Sequence, residues 1–552
     1  MASSAILLAF FSVLSAASAG QGCGGQGPPS WGQAYSTTGK LTIPYAELTE
    51  PFEAWYDGKN ARSRIDYYNG MVKTYQISDR GQYGTSIKLA PMTTEDQLNV
   101  ETCFEVNGTL EDKIQAQAIL PDLAEFQCIG KDWVNGFNCE KWHRETIVGE
   151  KSNKYLMYIR RKKTETGSVI IPVRYEMRGY NSLLGSHYDH YYLDYNTFSL
   201  DQPADDIFKL KQNLSCGGFP GPGKNHIYSF NPMKEFIDHH DAHFESAWEE
   251  FKNDHRRTYE EHSHEHTRRK EVFRQNVRFI YSKNRANLGY QLSVNHLADK
   301  TETELRVLRG KRFTPGYNGG SPFPYDPTTL NAAVPDQYDW RLYGAVTPVK
   351  DQSVCGSCWS FGTTGAVEGA YFVKTGKLLR LSQQALIDCS WGYGNNGCDG
   401  GEDFRSYQWI MKHGGLPLES DYGGYLGQDG YCHIDKTNLT AKITGYVNVT
   451  SGDEDALKLA IFKHGPISVA IDASQKTFSF YSNGVYYDPE CKNTPDGLDH
   501  AVLAVGYGKI NGNSYWLVKN SWSNYWGNDG YILMSSKNNN CGVMTTPTYV
   551  TM

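Results

Sequence analysis

Cys358 lies in the run Gln352-Ser-Val-Cys355-Gly-Ser-Cys358-Trp359-Ser-Phe361, and its surroundings predict a nucleophile. A thiol reacts as its thiolate, which a helix N-terminus and a neighbouring imidazolium both favour. Trp359, Val367 and Tyr371 recur at helical spacing, so the segment predicts a buried helix that starts near Cys358 and turns the positive end of its dipole toward the sulfur. The imidazole comes from His500, which opens the apolar run Ala501-Val-Leu-Ala-Val505, a predicted buried strand. Tyr515-Trp-Leu-Val-Lys519 predicts a second strand, and Asn520 after it offers a side-chain oxygen to orient one ring nitrogen of His500. Trp522 would shield that hydrogen bond from water. Together these groups predict acyl transfer through a cysteine thiolate.

The three runs resemble the papain family of cysteine proteases, of the cathepsin L type, over roughly the last 220 residues plus a propeptide. The resemblance implies an α+β fold in which a helical lobe and a β-barrel lobe form the protease, with Cys358 as nucleophile, His500 as general base and acid, and Asn520 as orienter. Gln352 would complete the oxyanion hole with the backbone N–H of Cys358. It implies disulfides Cys355 with Cys398, Cys389 with Cys432, and Cys491 with Cys541. It places Gly400, Gly401, Asp499 and Trp522 along the substrate cleft, and lines the pocket for the residue second from the cut bond with Glu402, Asp403, Ala470, Leu498 and Thr546. Ala470, Leu498 and Thr546 suggest room for Leu, Val or an aromatic. Glu402 and Asp403 stand where cathepsin L-type enzymes carry apolar residues; solvent exposure is the default expectation for such charges, and admission of Arg or Lys the alternative. No insertion resembles the histidine-bearing loop of a dipeptide-releasing relative, so endopeptidase action on proteins and peptides follows, with no cofactor or metal.

The chain is far longer than the region that carries these residues. The 552 residues suggest two or three folded units. A formal net charge of -7, with 39% apolar and 13% aromatic residues, is ordinary for globular protein and excludes a nucleic-acid binder by composition. Residues 1-19 read as a signal peptide, with an apolar core Ala5 to Leu14 and a small-residue cleavage site Ala17-Ser-Ala19, and no later run reaches spanning length. The reading is therefore of the secretory pathway, ending in lysosome, granule or extracellular fluid. Of twelve cysteines seven lie in the protease region. Upstream stand Cys23, Cys103, Cys128, Cys139 and Cys216, an odd count that leaves one free or paired outside its domain. Sequons at Asn107, Asn213, Asn438 and Asn448 fit the same route.

Residues 333-552 read as the protease, 311-332 as a linker and 240-310 as a helical propeptide. The Pro-, Gly- and Tyr-rich stretch Thr314 to Leu330 predicts an exposed, cleavable linker without regular structure. Upstream, Glu265, Arg269, Phe273, Asn276, Ile280 and Asn284 step by three and four along one helical stripe. This stripe resembles the inhibitory propeptide of cathepsin L-type enzymes, as do the aromatics Phe244, Trp248, Phe251 and Tyr259. A following motif is partly kept as Ser293-Val-Asn295-His-Leu297-Ala-Asp299. The resemblance implies a segment that runs backward through the cleft and silences the zymogen. His239, His240, His243, His255, His262, His264 and His266 crowd this region, which suggests either activation by acid or a solvated polar face.

Residues 20-230 read as a separate antiparallel β-rich domain. Asp57-Gly58 and Asn69-Gly70 sit between aromatic alternating runs, a hairpin signal. Lys154–Ile159, Ser168–Met177 and Tyr191–Tyr195 predict further strands of a twisted sheet or partial barrel stapled by Cys103, Cys128 and Cys139. His187-Tyr-Asp-His190, and Asp238 to Asp241, are poor metal sites because their neighbours point apart. A docking or targeting role ranks ahead of an apolar-ligand or glycan barrel. Past the joint Cys216 to Lys224, the layout is similar to arthropod cathepsin L-like precursors whose N-terminal extension stays with the protease as a second chain. The competing reading is a binding or carrier protein with a vestigial protease fold.

Overall fold

A computed structural model describes residues 23, 27–93, 99–164, 167–211, 214–218, 229–239, 242–324 and 334–552. The expected signal peptide, Asn213, His240 and the expected mature boundary at Ala333 lie outside them. The chain divides into two compact units, one of Met1–Lys88 with Phe104–Asp241, the other of Leu89–Cys103 with Ala242–Met552.

The first unit is built on an antiparallel sheet. Its central path runs Val72–Ile77, Arg62–Tyr67, Leu48–Asp57, Ala34–Ile43, Ser186–Ser199, Gly167–Asn181, Lys151–Thr164, Phe137–Val148 and Gln127–Val134. The two predicted turns are present: Tyr68 and Asn69 take left-handed φ beside Gly70, so Arg62–Tyr67 folds back onto Val72–Ile77 with Tyr67 opposite Val72. Alternation buries one face, with Tyr35, Leu41, Ile65, Tyr175 and Leu193 almost wholly excluded from water. The expected cysteine staple is corrected: Cys23 pairs with Cys128, Cys103 and Cys216 are each disulfide-bonded, and Cys139 is a buried free thiol. His190 pairs with Glu176 at 2.9 Å, and His239 belongs to this unit, its ring 4.3 Å from that of Tyr155.

In the second unit the helix Cys358–Thr375 packs on the strand His500–Ile510. Gly365 and Gly369 permit the close approach of its neighbours, since a Cβ on either would fall 2.6 Å from Leu503 or 2.4 Å from Pro466. Trp359, Val367, Leu386, Trp409 and Ile410 form the core of the helical side. A mostly antiparallel sheet of Tyr481–Tyr486, Tyr531–Ser535, Asn513–Lys519, His500–Ile510, Ile467–Ile471, Thr548–Thr551 and Gly445–Asn448 forms the other side.

The predicted stripe lies on the helix His264–Arg285, capped by Ser263; Ile280 is buried, and Glu265 pairs with Arg269 at 3.6 Å. Arg269 donates to both oxygens of Glu304 at 2.6 and 2.7 Å, Asn276 Nδ2 donates to Ala298 O, and Asn284 exchanges two bonds with Leu292. Phe273 packs at a tilt against Trp248 and Phe251. Tyr290–Leu292 extends the protease sheet by pairing with Tyr481–Tyr486. The unstructured linker is also corrected. Thr314 to Phe323 is a bound strap: Asn318 and Asn448 exchange amide bonds at 2.8 and 2.9 Å, Ser321–Pro322 pairs in parallel with Val447–Asn448, and Phe323 N–H donates to Asn448 O. The reason is backbone accounting: the neighbouring strand Gly445–Asn448 and the amide of Asn448 satisfy groups that the composition left without partners. The sequon residue Asn448 is thereby engaged, whereas Asn107 and Asn438 are exposed.

Asp299 is fully buried, accepts from Tyr259 at 2.6 Å and from Arg257 Nη2 at 3.2 Å, and forms an ion pair with Arg257 Nε at 2.8 Å. Replacing Asp299 by Ala strands Arg257, and should lower propeptide stability by about 3 kcal/mol. Hydrogen exchange at the amides of Phe273 to Ile280 is expected to speed up accordingly, and unchanged protection would refute it.

Candidate active site

Cys358 occupies the first turn of its helix, is buried, and accepts from Ala501 N–H at 3.5 Å. His500 Nε2 donates to Asn520 Oδ1 at 2.8 Å, and Ser521 N–H donates to the same oxygen at 2.8 Å. Two donors on one atom fix it as the carbonyl oxygen, hence the proton on Nε2 and the lone pair on Nδ1. The Trp522 ring lies 4.8 Å from that of His500, is buried, and closes the water side of the bond. Gln352 is also buried; its Oε1 accepts from Ser521 Oγ at 2.7 Å and its Nε2 donates to Cys355 O at 2.7 Å. The bonds Cys355–Cys398, Cys389–Cys432 and Cys491–Cys541 brace the surrounding loops.

Leu308 to Arg312 crosses this centre. Leu308 O accepts from Gln352 Nε2 at 2.9 Å, so a carbonyl of the chain itself takes the donor meant for a reacting one. Gly401 N–H donates to Gly310 O, and Arg312 N–H donates to Gly401 O, at 2.9 and 3.0 Å, in a parallel bridge. Lys311 N–H donates to Asp499 O, and Arg309 pairs with the Asp499 carboxylate at 3.0 Å. Only glycine fits at 310, where a Cβ would sit 1.8 Å from Gly356 O. Gly400 and Gly401 accept the same crowding, with a Cβ on Gly401 2.8 Å from the Trp359 ring.

The pocket beside Gly401 is a cavity of about 110 Å³, lined by Lys311, Phe313, Glu402, Asp403, Ala470 and Thr546 among others. Leu498 is buried under Gly542, apart from that lining. The exposure expected for the two carboxylates is corrected. Glu402 is 6% exposed, pairs with Arg405 at 3.0 Å and accepts from Thr314. Asp403 accepts from Ser468 Oγ at 2.9 Å and Thr548 Oγ1 at 2.6 Å. The apolar pattern expected at these positions gave no warning of hydroxyls on the facing strands.

Residues 334–551 match the papain family cysteine protease model, and residues 248–305 match the cathepsin propeptide inhibitor domain. A cathepsin L-like peptidase of Aedes aegypti is 46% identical over 316 residues, which is 55% of this chain and 91% of that protein. The chain belongs to the papain family. Digestive cysteine proteinase 1 of Homarus americanus is 45% identical, over 55% of this chain and 94% of its own. Digestive procathepsin L 3 of Tenebrio molitor aligns with a TM-score of 0.51 at 38% identity, covering 56% of this chain and 99% of its own. The chain is thus a cathepsin L-like cysteine protease zymogen carrying its own inhibitory propeptide, preceded by a β-rich region that neither family model spans. These likenesses do not favour a carrier with a vestigial protease fold.

The zymogen's electrostatics differ from the thiolate and imidazolium expected of a papain-family enzyme. Burial pushes the Cys358 thiol up to about 11, although N–H groups of Ala501 and Gly310 oppose it. Burial lowers His500 to about 4, against the bond to Asn520. With the cleft closed, both groups are neutral at pH 7. Sequence reasoning missed Ser521, which holds Gln352, and Arg309 and Gly310, which carry no chemistry of their own and are defined only by what they touch.

At pH 7 alkylation of Cys358 by iodoacetamide should run at least about 100-fold slower in the intact zymogen than after propeptide removal, because the thiolate fraction sets the rate. Equal rates would show that the propeptide does not suppress ionisation.

Proposed function

We propose that this zymogen becomes an endopeptidase whose chemistry rests on Cys358, His500, Asn520 and Gln352. The observation that carries this is the convergence on one buried centre of a sulfur at a helix start, an imidazole with its proton fixed on Nε2, and an amide donor already holding a carbonyl. In the open enzyme the Cys358 thiol gives its proton to His500 Nδ1 and its sulfur attacks the peptide carbonyl carbon, while Gln352 and the Cys358 N–H stabilise the oxyanion. The C–N bond breaks as His500 passes that Nδ1 proton to the leaving amine, and Nε2 keeps its bond to Asn520 throughout. Water, deprotonated by His500, then cleaves the thioester and restores the thiol.

Cleavage that frees the protease is proposed between residues 325 and 333, supported by the strap that binds the chain as far as Phe323. The division into a β-rich domain of residues 20-230, a propeptide of 240-310 and a protease of 333-552 is proposed with it. The first unit has its own core and a disulfide, which supports its persistence as a second chain with a docking or targeting role. Passage through the secretory pathway to lysosome, granule or extracellular fluid is proposed from the leader and sequons. Among the described residues no helix is long and apolar enough to cross a membrane.

Acid activation is proposed on a different footing from the histidine crowding. Burial lowers His296 to about 3 and also lowers His255 and His266, whose Nε2 accepts from Trp248. His296 and His255 both face the protease ring of Tyr525, with Arg257 disfavouring their charged forms. A histidine depressed in the closed form takes its proton on opening, so closure is favoured fully above about pH 6.5 and weakens as pH falls below it. Asp499 opposes this, since burial raises it to about 6 and protonation there favours closure. Asp403, also raised by burial, acts with Asp499, whereas His500 acts with the three propeptide histidines.

The test is expression of the zymogen, a shift from pH 7.5 to 5, and fragment masses followed alongside peptide hydrolysis. Wild type should process and cleave, Cys358→Ala should do neither, and Gln352→Ala should lose about 100- to 1000-fold in turnover. His296→Gln should flatten the pH dependence of processing, and an unchanged profile would remove acid sensing from this residue. Propeptide loss without hydrolysis in wild type would reject the protease mechanism.

A further inference from the structure

The pocket beside Gly401 is lined on one side by a lysine of the segment that crosses it. Lys311, whose neighbours bond to both backbone groups of Gly401, lines the same cavity as Glu402 and Asp403. Its ammonium is pushed below the usual lysine range by burial, an effect that Glu402 and Asp403 partly offset.

The two carboxylates are not equivalent. Glu402 is already neutralised by Arg405, whose guanidinium also bonds Thr314 and Tyr393 O. Asp403 has no cation within its hydrogen-bonded set: its Oδ2 takes hydroxyls from Ser468 and Thr548, and its Oδ1 takes the Phe404 N–H. It is also the first residue of the helix Asp403–His413, where the dipole favours negative charge. Burial raises its pKa while those donors lower it. Val469, Ala470 and Phe404 complete an apolar sleeve around it, suited to the methylene stem of a long basic side chain.

We propose that Asp403 is a specificity-determining residue which makes this protease select peptides with Arg or Lys at the position whose backbone pairs with Gly401. This rests on the endopeptidase reading above, and names its substrate class. Lys311 lines this pocket in the zymogen, its ammonium 5.5 Å from the centre of the Phe313 ring, so the space beside Asp403 stays open for a substrate's basic side chain. The carboxylate is held in place by Ser468, Thr548 and the Phe404 N–H before any ligand arrives, so little reorganisation opposes binding. An apolar residue there would bury the Asp403 carboxylate without a counter-charge, which penalises Leu more than loss of a contact would.

The experiment uses the processed enzyme and two fluorogenic peptides identical except for Arg or Leu at the second residue before the cut bond, with active sites counted by a covalent epoxide probe. Wild type should favour Arg in kcat/KM by about 10-fold or more. Asp403→Met should lower that Arg-to-Leu ratio about 100-fold, chiefly through KM for the Arg peptide. Should Asp403→Met fail to fold, Asp403→Asn keeps the shape and hydroxyl bonds and should lower the ratio in the same direction. Glu402→Gln should move the ratio less than about threefold, because Arg405 already pairs with it. A wild-type enzyme that cleaves the Leu peptide as well as the Arg peptide, or an Asp403 variant with an unchanged ratio, overturns the proposal while leaving the protease intact. Failure of the epoxide-counted wild type on both peptides overturns the endopeptidase reading instead, and this inference with it.

Discussion

The backbone exchange between Gly310, Arg312 and Gly401 holds the active face together. It draws Leu308 O onto the Gln352 amide and Arg309 onto Asp499, which seals Cys358 and His500 from water. Removal of water then sets the ionisation: thiol and imidazole, which in an open cleft would favour a charged pair, are both neutral here. Inhibition is therefore electrostatic as well as steric. A segment that merely covered the cysteine while leaving solvent beside it would not shift either group so far.

That exchange needs the rest of the propeptide to aim it. The aromatic packing of Trp248, Phe251 and Phe273 and the buried Arg257–Asp299–Tyr259 cluster form a rigid body. Asn295 Nδ2 donating to Ser479 O, and Tyr290–Leu292 added to the protease sheet, fix that body on the enzyme. Downstream, the Asn318–Asn448 amide pair holds the other end. The crossing segment is thus stretched between two anchors, and neither end is left to diffuse. Release needs both anchors to loosen.

The active centre was legible because its chemistry is tied to residue type. Only a thiol, an imidazole and an amide in suitable order perform acyl transfer, and Cys358, His500, Asn520 and Gln352 stand at element boundaries that periodicity marks. The hairpin at Gly70 was legible for a similar local reason, since few residues accept positive φ; in the hairpin at Gly58 the left-handed residue is Ala61, which the Asp-Gly pair did not mark. The propeptide stripe was legible from its period, though period did not reveal that Arg269 binds Glu304. Less visible was the strap at Thr314 to Phe323, whose composition reads as a linker because Pro and Gly give it no order of its own. Its order is borrowed from Asn448 and Tyr446, more than a hundred residues away.

By itself, then, the sequence determined the reaction type, the family resemblance, the helix that presents Cys358 and the strand that presents His500, because these follow from residue chemistry and local period. Tertiary structure alone decided the charge states, the partners of Glu402 and Asp403, the free thiol at Cys139 and the part played by Gly310. Each of those depends on which distant atoms come within a few ångströms, and on how much water they leave. Burial and long-range pairing are properties of the assembled surfaces, and no local window of residues contains them.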